Sequence, residues 1–111
     1  MVTNLISSSF SSDAVLSINR AMWDAVLPTL RGVSVRAIHP KIDVRFIYES
    51  LGRRERIVTE DIETRVIADF YEDVIVRCVP VEAPIHEQRI LLEGERWVFL
   101  RYEEASAGPL E

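Results

Sequence analysis

Cysteine occurs once in the 111 residues, at Cys78, so no internal disulfide can form and no thiolate cluster can hold a metal. Such sparing use fits a reducing compartment and a cytoplasmic location. Glycine is also scarce: there are four, none grouped into a phosphate-cradling loop. The longest apolar runs have four residues or fewer, whereas a membrane-crossing helix needs ~20. Residues 1–12 place Leu5, Ile6 and Phe10 among serines, with neither a basic start nor a long apolar stretch, which argues against a secretory signal. Histidine is limited to His39, just before Pro40, and His86, two residues after Pro84. Neither has further ligands at metal-site spacing, and both read as loop residues. No Ser-His-Asp arrangement or zinc ribbon occurs, and no cofactor is expected.

What is abundant is carboxylate. Eighteen acidic against 13 basic side chains give a net charge of −5. That balance speaks against direct nucleic-acid binding, which depends on neutralising phosphates with Lys and Arg. It suits ordinary solubility and also an encounter with a basic partner. The length fits one domain with a single core. The pattern places this domain at 13–104, between a flexible N-terminal segment at 1–12 and a frayed tail at 105–111.

Ser11, Ser12 and Asp13 offer N-cap oxygens ahead of a helical pattern. Val15, Ile18, Met22, Ala25 and Val26 form one apolar stripe, and Leu16, Trp23, Leu27 and Leu30 an adjoining one. Together they predict a broad buried face, ended near residue 27 by Pro28. The period then switches to two. Val33, Val35 and Ala37, then Ile42, Val44, Phe46 and Tyr48, predict a β-hairpin turning at Pro40 and Lys41. Gly52, Arg53 and Arg54 read as a loop. A second helix is expected from Thr59, its N-cap, to about Phe70, with Glu60, Asp61 and Glu63 in its first turn. A third strand follows at Val74–Val79, and Pro80 and Pro84 demote what comes after it to edge or loop. Ile90, Leu91 and Leu92 fit either a short strand or simple packing. Glu93 and Gly94 turn into a last strand, where Trp97 and Phe99 should face one way and Val98, Leu100 and Tyr102 the other. The order α-β-β-α-β-β predicts an α+β two-layer sandwich: an antiparallel-rich sheet of four to five strands with two helices on one face.

Two groups of acids are candidates for partner contact: Glu60, Asp61 and Glu63 on the second helix, and Asp69, Glu72 and Asp73 at its end. Negative charge near a helix C-terminus opposes the dipole, a cost that fits either a solvated turn or a binding surface. A paired-carboxylate enzyme would need two such groups in a cleft, and exposed helix-end acids rarely meet that condition. Arg53, Arg54 and Arg56 surround Glu55, which points to local salt bridges rather than nucleic-acid contact.

Leu30-Arg31-Gly32-Val33-Ser34-Val35, Ile42-Asp43-Val44-Arg45-Phe46-Ile47-Tyr48, Val66-Ile67-Ala68-Asp69-Phe70 and Trp97-Val98-Phe99-Leu100-Arg101 occur in that order. Together they resemble the immunity proteins of contact-dependent growth inhibition systems over about residues 15–103. The resemblance implies a small, acidic cytoplasmic protein, encoded beside a toxin, that binds the toxin's C-terminal domain and inhibits it without catalysis. A basic nuclease is the toxin that acidic surface would fit best. The alternative is a stand-alone interaction module that forms a homodimer through the sheet edge near 80–92.

Overall fold

The alternating runs on either side of Pro40 pair as expected. In a computed structural model, which describes residues 2–104 and their side chains from residue 9 onward, β1 (Leu30–Ile38) and β2 (Lys41–Tyr48) form an antiparallel hairpin. Val33 and Val35 stand opposite Phe46 and Val44, and all four are buried, so the period of two selects the core face.

The helices differ more from the pattern. α1 covers Val2–Ala21, so helical backbone includes positions assigned above to a flexible start. Phe10 explains part of the extension, because its ring is buried edge-on against Phe70 and His39. The helix stops well before Pro28: Met22 N–H still bonds Ile18 O, and Asp24 then takes a left-handed conformation at φ 62°. α2 covers Arg53–Ile67, six residues ahead of the expected Thr59 cap. Its N-cap is extended Gly52, whose N–H is accepted by Glu55 Oε1 at 2.9 Å. The basic first turn hid this start, since dipole logic favours acids there. Thr59 therefore lies inside the helix, buried, where its hydroxyl donates to Glu55 O and meets Tyr48 Oη at 2.9 Å. Glu60, Asp61 and Glu63 are mid-helix rather than first-turn residues.

β3 (Ile75–Glu82) and β4 (Arg96–Leu100) complete a four-stranded sheet in the order β3-β2-β1-β4. The two-layer α+β arrangement holds, but the sheet is mixed, because β3 runs parallel to β2. A helical crossover carries the chain back to the starting end of the sheet and imposes that direction, which a hairpin connection could not. β3 continues through Pro80, which an edge strand tolerates.

Both helices pack on one face, where Ile18, Ile62 and Val66 join Val33, Val44 and Phe46 in one core. The opposite face is covered by the chain itself. Because β3 and β4 are at opposite edges, residues 83–95 cross the sheet as an irregular strap, and Ile90–Leu92 form no strand. This cover explains why Leu30–Val35 is buried on both faces. In β4, Phe99 pairs with Val33 but Trp97 pairs with Ser34, so Val98 is an extra residue. This bulge puts Trp97 and Phe99 on opposite faces, against simple alternation. The tail at 105–111 lies outside the described residues.

Candidate partner-binding surface

The strap is held by arginines. Arg31, 2% exposed, donates to the carbonyls of Ala83, Pro84 and Glu87 at 2.8–2.9 Å and forms a two-pronged pair with Glu103. Arg89 and Arg101 also reach Glu103, at 3.3 and 3.1 Å. Arg45 pairs twice with Glu95, at 2.7 and 2.8 Å, and donates to Ile90 O. The Arg31 hydrogen bond holds the Glu103 carboxyl below its ordinary range, and Arg45 does the same for Glu95. Gly32 completes this face, since a Cβ there would come within 3.1 Å of the Trp97 ring. Several of the residues that carry the resemblance to immunity proteins are therefore in the sheet or its core, and two of them, Arg31 and Arg45, hold the strap.

The six acids named from the sequence fare differently. Glu63 turns to β3, where its Oε2 accepts the Cys78 N–H at 2.8 Å and closes one amide of the sheet edge. Glu60, Asp61 and Glu72 are exposed. Asp69 ties the helices together: its Oδ2 accepts Ser17 Oγ at 2.5 Å and Arg20 Nη2 at 3.1 Å, and the Ser17 bond, then Arg20, lowers its pKa. Asp73 approaches His39 Nε2 at 3.8 Å.

Asp69 and Asp73 come together in a cleft of about 450 Å³ between α1, the segment after α2 and the β1–β2 turn. Asp13, Leu16, Ser17, Arg20, His39, Phe70 and Tyr71 also line it. Leu16 is 56% and Tyr71 88% exposed, and Trp23, 69% exposed, stands beyond the end of α1. Next to Trp23, Asp24 pairs with Arg65 of α2 at 3.1 Å, and helical spacing puts Asp61 on the same side as Arg65. The outer side of the helical layer thus presents large apolar side chains among acids. Spacing alone had assigned Leu16 and Trp23 to the core. The helix covers the sheet with a narrower stripe built on Phe10, Ala14, Ile18 and Ala21.

Among the described residues no group of three or more His, Cys, Asp or Glu side chains gathers as a metal site, and no helix is long and apolar enough to cross a membrane. The helical side of this α+β domain, with exposed apolar side chains among acids, has the make-up of a surface that meets another protein. The profile of the MafI2 immunity protein matches residues 11–103, and the chain belongs to that family. It is thus an immunity protein of a family related to, but distinct from, the contact-dependent growth inhibition group that its motifs resemble. No curated protein matches it in sequence. Its fold is similar to a chain in the solved structure of a tri-AMPylated Shewanella oneidensis HEPN toxin in complex with MNT antitoxin. The TM-score is 0.52 and the identity 13%, over 79% of this chain and 71% of that one. A chain in another Shewanella oneidensis crystal structure gives the same values. At that identity the likeness is one of fold alone.

Proposed function

We propose that this immunity protein neutralises a cognate toxin by binding the toxin's C-terminal domain through the outer side of its helical layer, without catalysis of its own. The structural observation that carries this reading is the exposure of Leu16, Trp23 and Tyr71 beside Asp13, Asp61, Glu72 and Asp73. Aromatic and aliphatic anchors within a charged rim are the usual anatomy of a tight interface. The partner we infer is a basic nuclease toxin met in the cytoplasm, where the net charge of −5 speeds capture.

The test is growth of a reporter strain that expresses the toxin domain encoded by the adjacent gene, with and without this chain. Protection is expected, and a variant with Glu60, Asp61 and Glu72 changed to lysine should lose it while keeping its thermal midpoint. Unimpaired protection by that variant would move the interface elsewhere. A second reading is favoured by Ile85, Ile90, Leu91 and Leu92, all exposed on the strap. They fit a homodimer in which two straps meet, and sedimentation equilibrium distinguishes that dimer from a monomer that captures a toxin.

A further inference from the structure

We infer that the cleft lined by Asp13, Leu16, Tyr71 and Asp73 is the seat of one arginine or lysine side chain of the toxin. The inference rests on the toxin-binding reading above and names the group that the surface grips. Three carboxylates line the cleft, from Asp13, Asp69 and Asp73, against one guanidinium and one imidazole, from Arg20 and His39. Arg20 is already engaged by Asp69, which also takes the Ser17 hydroxyl. Asp13 has no polar partner among the described residues, and Asp73 has only the 3.8 Å approach of His39. Two carboxylates therefore remain for an incoming charge after the internal pairing is complete.

The walls narrow the choice of occupant. Phe10, edge-on to His39 and Phe70, is a buried part of the lining, while Leu16 and Tyr71 are exposed parts of it. An anion would meet the carboxylates directly. A wholly apolar group would strip water from them and return no hydrogen bond. A long cationic side chain satisfies both features, with its methylenes against Leu16 and Phe70 and its charge at Asp13 and Asp73. Tyr71 adds an aromatic face for a guanidinium or ammonium. At 88% and 56% exposure, Tyr71 and Leu16 have much surface to bury when the cleft is filled.

The experiment measures binding of the adjacent-gene toxin domain to the full chain by calorimetry at several salt concentrations. The variants are Asp13→Asn with Asp73→Asn, Tyr71→Ala and, on the strap, Leu91→Ala. Asp13 and Asp73 are exposed, so the paired variant should fold, and a thermal midpoint verifies that. The paired variant and Tyr71→Ala should each bind about thirty-fold more weakly, and the paired variant should also show a shallower salt dependence. Leu91→Ala should stay within about twofold. One toxin Arg or Lys should prove non-additive with the paired variant in a double-mutant cycle. If the wild type binds and both cleft variants match it at every salt concentration, the cleft is not the seat, whereas the immunity reading stands. If the wild type does not bind, the reading and the inference fall together.

Discussion

Arg31 and Glu103 form a two-pronged ion pair, at 2.8 and 2.9 Å, that joins the second residue of β1 to a position 72 residues further along the chain. Both side chains are nearly sealed from water, at 2% and 7% exposure, and the same guanidinium holds three strap carbonyls. The pair fixes the covering segment and the end of β4 at once. Removing the carboxylate would leave a buried cation facing carbonyls and the neighbouring Arg89 and Arg101. Glu103→Ala should therefore cost about 3–5 kcal/mol of unfolding free energy, read from urea denaturation. The strap amides near 83–90 should lose hydrogen-exchange protection in the same variant.

The same carboxylates make stability depend on pH in one direction. Glu103 and Glu95 have folded-state pKa values lowered from the ordinary 4.5 by their arginine partners. A lowered carboxyl contributes stability above its unfolded value and loses that contribution as pH falls through its folded value. The thermal midpoint should thus hold steady from neutral pH to about 5 and drop below about 4.5. Asp69 acts in the same direction but more weakly, because 38% of its side chain is exposed. Glu103→Gln should begin with a lower midpoint and show a smaller drop in scanning calorimetry across that range.

Burial, followed by the nearby Glu63 carboxylate, pushes the Cys78 thiol up to about 12. Thiolate is the reactive form, so a disulfide reagent at pH near 8 should modify Cys78 slowly in the folded protein and rapidly in denaturant. Glu63→Ala acts on both causes at once. It removes both the negative charge and the acceptor of the Cys78 N–H, so the edge of β3 should open and labelling should accelerate. Fast labelling of the native wild type would contradict the packing of β3 against α2.

The hairpin was legible because a period of two has one solution when one face is buried: Val33 and Val35 must meet Val44 and Phe46. The clamp was not. Arginine normally signals surface, and nothing near Arg31 in the chain announces a partner at Glu103. The parallel pairing of β3 follows from the crossover by α2, and the true start of that helix was masked by three arginines around Glu55. Of the candidate surface, charge composition gave the acids but not their use. Glu63 and Asp69 proved to be fastened to the fold, while Asp73 opens into the cleft. Leu16 and Trp23 were misplaced because helical spacing marks an apolar stripe without saying which stripe meets the sheet.

Those two stripes, read along α1 and the turn that follows it, supply a direct comparison. Ile18 is fully buried in the core, whereas Trp23, five residues later, is 69% exposed. Ile18→Ala should cost about 2–5 kcal/mol, from lost burial and the cavity left behind. Trp23→Ser should change unfolding free energy by no more than about 0.5 kcal/mol, as surface substitutions generally do. Trp23→Ser should still weaken toxin binding and protection, because an exposed tryptophan beside Asp24 and Arg65 gains its burial only when a partner arrives. Equal destabilisation by the two substitutions would mean that Trp23 belongs to the core in solution. Unchanged stability with unchanged toxin affinity would remove the α1 end from the interface and leave the cleft around Tyr71 as its centre.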